Sequence, residues 1–168
     1  RALAFYADHQ RIHGGSQQEM TDTAYAAWLA DITAGKTSVL ATTTTADVTR
    51  LAARARADRV ASGHVEAAGV LLHDGNTAGV GDWIVTRAND RRLTSPDRRT
   101  WVRNGDAWRV IHRRDDGALT VEHLRDAARV VLPPGYVAAH VELLYATTAH
   151  RVQGATVDTA HALITPEA

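Results

Sequence analysis

The spacing of the apolar residues changes twice along the 168-residue chain, and this change constrains the fold more than any other feature. Residues 20–34 carry apolar side chains at helical spacing. The short β-branched run 38–42 (SVLAT) follows, and a second helical pattern occupies residues 48–55. Threonines before the second helix offer an N-cap, and a glycine follows each helix as a C-terminal stop. Helix, strand and helix in this order are typical of an α/β layer.

From about residue 78 the apolar residues alternate instead. Four short, mostly β-branched runs follow one another: VGDWIVTR, AWRVIHRR, ALTVEHLR and ARVVLPP. The DDG at 115–117 is a hairpin signal between the second and third runs. Short strands at this spacing predict a small β-barrel of SH3-like size. After PPG at 133–135 the α/β pattern returns. We therefore predict an α/β domain of residues 1–77 and 133–168, interrupted by a β-barrel at 78–132.

Composition excludes several classes of site and location. The chain has no cysteine, which excludes disulfides, a thiolate nucleophile and cysteine-ligated metals. His9 and His13 have helical spacing but no third ligand, so no metal site is predicted. No apolar run is long enough to span a membrane, and the first residues do not have the layout of a signal peptide. We expect a cytoplasmic protein without a membrane partner. Because the sequence lacks an initiator Met, we also expect it to be a piece of a longer chain.

The formal net charge is zero, but the charges are unevenly distributed. Between residues 87 and 114 there are nine arginines and three acids, a local excess of +6. A clustered basic patch in a neutral chain is the pattern of a phosphate-backbone contact. A solvated, arginine-rich hairpin explains the same pattern equally well. Both interpretations stay open at this stage.

The segment 145–158, YATTAHRVQGATVD, places two threonines, a histidine, a glutamine and a glycine between apolar stretches. It resembles the fifth conserved motif of superfamily 1 helicases, in the form found in RecD-like enzymes (exonuclease V alpha subunit) and TraA/TrwC-type conjugative relaxases. Residues 38–56 resemble the segment around the fourth motif of these helicases. Residues 81–110 resemble their inserted SH3-like module. The resemblance implies part of a RecA-like second motor domain with an inserted SH3-like β-barrel.

The resemblance also implies two sets of site residues. Contacts to single-stranded DNA are expected at four positions: Thr148, His150, Asn89 and Asn104. Coupling to the nucleotide is expected at Gln153 and Gly154. Taken by themselves, the same residue types also fit helix caps and turns. A loop that contacts both DNA and nucleotide would explain why these residue types occur together in one short segment.

Parts of an ATPase site are missing from the sequence. TAGKTS at 33–38 contains a lysine but lacks the first glycine of the phosphate-loop pattern, and no Walker-B carboxylate pair follows a strand. No catalytic residue is therefore assigned, and this chain alone is expected not to hydrolyse ATP. ATP and Mg²⁺ are expected only in the parent protein. The expected partners are single-stranded DNA and the N-terminal motor domain of the same parent chain.

One alternative of a different class remains. The chain is then a non-enzymatic module that binds nucleic acid or peptide through the small barrel, and the α/β part is its scaffold. The barrel tryptophans, Trp83, Trp101 and Trp108, either stack on bases or form the barrel core. A substitution at Thr148 separates the two hypotheses, because only the helicase hypothesis gives this residue a ligand.

Overall fold

The computed structural model describes residues 7–8, 12–152 and 157–164. It is a mixed α/β structure with a parallel sheet, an antiparallel sheet and two short ribbons. The elements in chain order are α1 (Gln17–Thr33), β1 (Ser38–Thr42), α2 (Thr45–Ala61), β2 (Val70–Leu71), β3 (Thr77–Ala78), β4 (Trp83–Thr86), β5 (Asp90–Thr94), β6 (Trp101–Val102), β7 (Ala107–Arg113), β8 (Leu119–His123), β9 (Arg129–Leu132), α3 (Pro134–His140), β10 (Val141–Leu143), β11 (Ala146–Thr148), α4 (Ala149–Val152) and β12 (Thr159–Ala162).

The parallel sheet has three strands in the order β11-β1-β12. Every residue of the central strand β1 is buried, as expected for a strand that is paired on both edges and covered by helices. Helix α1 packs against β1 and β12, and α2 packs against β1 and β11. Trp28 of α1 is fully buried and its indole N–H donates to the carbonyl of Ser38 at 2.9 Å. The predicted helix, strand and helix are confirmed.

Local signals explain where the two long helices begin and end. Ser16 and Glu19 form a reciprocal capping box at the start of α1. The hydroxyl of Thr44 accepts from the backbone N–H of Asp47 at the start of α2, so the predicted threonine N-cap is confirmed. Gly35 follows α1 with a φ of +83°, a conformation that costs glycine little. The short local patterns of the sequence therefore determine these boundaries.

The antiparallel sheet has five strands in the order β10-β4-β7-β8-β9. The four predicted alternating runs form β4, β7, β8 and β9, and the predicted turn at 115–117 joins β7 to β8. The ribbon β5–β6 lies against this sheet, with β5 beside β9. The inward residues include Ile84, Trp108, Val121 and Leu132, each almost fully buried. This part of the chain is the small barrel.

The antiparallel sheet extends beyond residue 132. Strand β10, which follows α3, pairs antiparallel with β4 through Val141 opposite Thr86. The parallel and antiparallel sheets share no strand in the described residues, but side chains of both belong to one hydrophobic cluster. The division of the chain at residues 78 and 132 stays a prediction. No helix in the described ranges has the length and apolar character needed to cross a membrane.

Candidate nucleic-acid interface

Two threonines are neighbours at the carboxyl edge of the parallel sheet. Thr42 is the last residue of β1, Thr148 is the last residue of β11, and the two are paired in register. The turns into α2 and α4 begin directly after them. In open parallel sheets ligands bind outside this edge, where the loops that follow the strands meet. The sequence-predicted Thr148 therefore lies where a ligand of this sheet would bind.

The turn after β11 presents two polar side chains. Thr148 is half-buried, and His150 is exposed in the single turn of α4. Within the described ranges neither side chain has a hydrogen bond or an ion pair to protein. The hydroxyl and the imidazole are both able to donate to a phosphate, and the ring can also stack. Gln153 and Gly154, predicted to face the nucleotide, lie outside the described residues.

A charged cluster joins this turn to the barrel. Arg87, which follows β4, donates from Nη2 to Thr147 Oγ1 at 3.2 Å and from Nε to Glu142 Oε2 at 3.0 Å. Arg151 of α4 donates to the other oxygen of this carboxylate at 2.7 Å. His73, between β2 and β3, lies 3.2 Å from that second oxygen. Glu142 therefore connects α4, the barrel and the β2–β3 ribbon through a single carboxylate.

A buried polar network fixes the barrel to α2. The carboxylate of Asp82 is fully buried and accepts from Arg56 Nε at 2.8 Å, from the Tyr145 hydroxyl at 2.7 Å and from the Gly79 N–H at 2.9 Å. Burial raises the pKa of Asp82, and these hydrogen bonds partly oppose that rise. Burial and the charge of Asp82 also raise the pKa of Tyr145. The network holds together α2, the start of β4 and the residue before β11.

The two asparagines predicted to bind DNA contact each other. The backbone N–H of Asn104, after β6, donates to Oδ1 of Asn89, before β5, at 2.8 Å. The Asn89 oxygen therefore has a structural role in joining the two ends of the ribbon. Both side chains remain exposed. Arg87, two residues before Asn89 in the chain, donates to Thr147, the residue before Thr148.

Ion pairs divide the nine arginines of the predicted basic patch into two groups. Four arginines have acidic partners: Arg87 with Glu142, Arg92 with Asp90, Arg109 with Glu122 and Arg113 with Glu66. Three of these acids lie outside the segment 87–114, so the excess of +6 overstates the positive charge of the folded surface. Five arginines form no ion pair in the described residues: Arg91, Arg98, Arg99, Arg103 and Arg114.

Two functional candidates were missed from the sequence. Glu142 lies within an apolar run, yet it is the only acid between Asp126 and Asp158, and that isolation was the available signal. Arg59 of α2 lies over the rings of Trp83 and Tyr145, at 4.9 and 5.6 Å from their centroids. Its buried Nε has no acceptor in the described part of the chain. Neither the ion pairs of Glu142 nor the ring contacts of Arg59 can be predicted from neighbouring residues, because the partners are distant along the chain.

The comparisons with known proteins concern mainly the barrel. Residues 70–142 match the family model for the Rv2311 SH3-like barrel domain. The matched region begins at β2 and ends within β10, so it includes four strands of the antiparallel sheet and the first two residues of the fifth. This region of the chain is an SH3-like barrel domain. It comprises fewer than half of the 168 residues.

A search of curated proteins found no match. Among solved structures, the chain is similar to one from a study of two coordinating Pif1 helicases that unwind forked double-stranded DNA. The two chains are 16% identical, with a TM-score of 0.43. The aligned region covers 73% of this chain and 31% of the helicase chain, so this chain spans about a third of that structure's length. At this level of similarity the match supports no functional assignment.

Proposed function

We propose that this chain is part of the second motor domain of an ATP-driven superfamily 1 DNA helicase, of the RecD-like or TraA/TrwC relaxase type. In this proposal the turn at Thr148 and His150 contacts single-stranded DNA without reading its sequence. The SH3-like barrel, tied to that turn by Arg87, forms the adjoining wall through Asn89 and Asn104. The N-terminal motor domain of the same cytoplasmic parent protein supplies the rest of the DNA groove.

One observation carries the proposal. Thr148 ends a parallel strand directly beside Thr42, at the sheet edge where ligands bind, and its side chain has no protein partner within the described ranges. A strand that must be moved without sequence preference is held by its phosphates and by stacking. A hydroxyl and an imidazole two residues apart supply both kinds of contact.

The nucleotide belongs to the parent protein in this proposal. Lys36, the only lysine, is paired with Asp31 at 3.0 Å at the amino edge of the sheet, opposite the edge that Thr148 occupies. We therefore propose no nucleotide-binding role for Lys36. ATP and Mg²⁺ would be held mainly by the other motor domain, with Gln153 and Gly154 reaching toward them. We expect no ATP turnover by this chain alone, and turnover that the substitution Lys36→Ala abolishes would contradict the assignment.

The binding half of the proposal is tested with labelled oligo(dT) and fluorescence anisotropy. We expect weak binding that falls with salt, because each neutralised phosphate releases counterions. Thr148→Val removes one hydroxyl while it keeps the shape of the side chain. If that hydroxyl donates to a phosphate, the substitution lowers affinity by about tenfold, since a hydrogen bond to a charged group contributes roughly 1.5 kcal/mol.

A matched control exists in the barrel. Thr120 of β8 is also a half-buried strand threonine without a side-chain hydrogen bond in the described residues. Thr120→Val should leave affinity unchanged. Equal affinities for the wild type, Thr148→Val and Thr120→Val would show that the Thr148 hydroxyl does not contact DNA and would contradict the proposal.

A second candidate function rests on a groove in the barrel. An open cavity of about 550 Å³ is lined by residues 88–90 on one side and by Pro133, Gly135 and Tyr136 on the other, with Arg92, Leu93 and His140. The hydroxyl of Tyr136 donates to the Ala88 carbonyl at 2.5 Å and holds the two walls together. A groove of this kind suits the alternative function, a module that binds peptide or nucleic acid through the barrel alone. That function predicts sensitivity to Tyr136→Ala and none to Thr148→Val.

A further inference from the structure

We propose that the outer face of the β5–β6 ribbon is a phosphate-binding surface for a nucleic-acid strand. Arg91 and Arg103 bind the phosphates, and Trp101 is the positioning residue that holds both guanidinium groups. The identity of the ligand rests on the proposed function. The surface itself lies apart from Thr148 and His150.

The strand register places these three side chains together. Asp90 of β5 is paired with Val102 of β6, and Val102 is fully buried. Side chains alternate along a strand, so the residues on either side of Val102 point away from the core. The Cζ atoms of Arg91 and Arg103 lie 4.6 and 4.8 Å from the centroid of the Trp101 ring. One half-exposed indole therefore contacts two guanidinium groups.

Neither of the two guanidinium groups is paired with an acid of this chain in the described residues. Within the described ranges neither the Arg91 nor the Arg103 guanidinium has an ion pair or a hydrogen bond to a protein acceptor. The acids of the ribbon are already occupied. Asp90 accepts two side-chain hydrogen bonds from Arg92, and Asp97 accepts one from Ser95 at 2.6 Å. The outer face of the ribbon is therefore positively charged.

An arginine that stacks on an aromatic ring is held in an orientation in which it can bind an anion. A guanidinium over an indole is held by a cation–π interaction, while its N–H groups at the edge of the plane stay available to oxygen. Holding the group in place reduces the entropy lost when a phosphate binds. Trp28 and Trp108, by contrast, are fully buried and serve the core. Trp101 has the exposure and the partners of a binding-surface residue.

The contacts between the ribbon and the turn favour a nucleic-acid strand as the ligand. Asn104 follows Arg103 directly and contacts Asn89. Arg87, two residues before Asn89, contacts Thr147, the residue before Thr148. These two hydrogen bonds and the short backbone segment between Arg87 and Asn89 connect the ribbon to the proposed DNA-binding turn. A strand with a repeating phosphate backbone can contact the exposed ribbon arginines and the exposed His150 of that turn together, so we take a nucleic-acid strand as the ligand.

The test measures the salt dependence of oligo(dT) binding to the full chain. Arg91→Gln and Arg103→Gln should each lower the slope of log affinity against log salt by about 0.7, the value for one phosphate contact on a single strand. Arg109→Gln is the control: Arg109 is also an exposed barrel arginine, but it is paired with Glu122 at 2.7 Å. It should leave the slope unchanged. Equal effects of all three substitutions would overturn the proposal.

Substitutions that conserve charge test the positioning role. Arg91→Lys keeps the charge on an exposed side chain but loses the planar fork, so its affinity should fall toward that of Arg91→Gln. Trp101→Phe keeps an aromatic face and should retain more affinity than Trp101→Leu. Wild-type affinity in both Arg91→Lys and Trp101→Leu would show that Trp101 and the fork have no role and would overturn the proposal.

Three outcomes separate this proposal from its alternatives. If polyglutamate displaces the chain as well as unlabelled oligo(dT) at equal charge, the ribbon binds acidic chains in general and the proposal is wrong. If Thr148→Val has no effect while the ribbon substitutions weaken binding, the ribbon site stands and the helicase assignment fails. If only Thr148→Val weakens binding, the ribbon proposal fails alone.

Discussion

Arg87 Nη2 lies 3.2 Å from Thr147 Oγ1, and this contact joins two residues that are 60 positions apart in the sequence. Arg87 belongs to the barrel, whereas Thr147 belongs to the strand that ends at Thr148. The same guanidinium also pairs with Glu142, which pairs in turn with Arg151 of α4. Any displacement of the turn therefore acts on the barrel through these contacts.

Glu142→Gln should raise affinity for single-stranded DNA by up to about fivefold, because the ion pair with the exposed Arg151 contributes up to about 1 kcal/mol and this guanidinium becomes available to phosphate. Glu122→Gln is the matched control, since Glu122 also pairs with two arginines. Anisotropy at one salt concentration measures both variants. An equal rise in the two would mean that total charge alone explains the effect.

His150→Ala should distinguish a base contact from a phosphate contact. If the exposed imidazole stacks on a base, the substitution weakens binding to oligo(dT) and leaves binding to an abasic oligomer unchanged. His112, an exposed histidine of β7, supplies the control His112→Ala, which should bind both oligomers like the wild type. Equal losses on oligo(dT) and the abasic oligomer would identify a phosphate contact and contradict stacking.

Tyr145→Phe should destabilise the fold more than Tyr136→Phe. The Tyr145 hydroxyl donates to the buried Asp82 carboxylate, and its loss costs about 2 kcal/mol because the acceptor is charged. The Tyr136 hydroxyl donates to a backbone carbonyl, and its loss costs about 1 kcal/mol. Urea unfolding of both variants gives the two values. A smaller effect at Tyr145 would show that the Asp82 network contributes little to stability.

Acid should destabilise the chain partly through Asp31. Hydrogen bonds from Thr159, Lys36 and His161 lower the pKa of this carboxyl below its ordinary value of 3.8. A carboxyl whose folded pKa is lowered stabilises the fold above its unfolded pKa, and this contribution is lost as the pH falls toward the folded pKa. The melting temperature of the wild type should therefore fall below about pH 4 more steeply than that of Asp31→Asn.

Asp115→Asn is the control for that measurement. Asp115 is exposed in the turn between β7 and β8 and makes no hydrogen bond or ion pair in the described residues. Its substitution should leave the acid profile of the wild type unchanged. If Asp31→Asn and Asp115→Asn follow the same profile as the wild type below pH 4, the contacts between α1 and β12 do not contribute to the acid response.

The parts of the fold that sequence predicts well depend on neighbouring residues. The run 38–42 forms β1, and Thr44 caps α2, because hydrophobic patterning and capping act over a few positions. Strand β10 was missed as a member of the barrel sheet. Val-Glu-Leu at 141–143 follows a helical segment and continues an apolar run, and its partner strand 83–86 is more than 50 positions away. Neither segment contains a local sequence pattern that predicts this pairing.

The residues of the candidate site also differ in whether neighbouring sequence predicts them. Thr148 was selected from its motif and lies at the sheet edge, beside Thr42. The resemblance gave no indication of Glu142, because its role depends on partners from three separate segments. The excess of +6 was counted over residues 87–114. The acids that pair with Arg109 and Arg113 lie outside that segment, so the count did not include them. Charge can be summed from sequence, but ion pairing requires the fold.

The most direct test of the account is to map the DNA on the chain by amide chemical shifts. The ¹⁵N-labelled chain is titrated with oligo(dT), and shifts are followed residue by residue. The account predicts that the amides of 147–151 and of 87–91 move together, while those of Thr37 and Asp158, at the amino edge of the sheet, stay in place. Shifts confined to the barrel groove around Tyr136, with 147–151 unchanged, would contradict it.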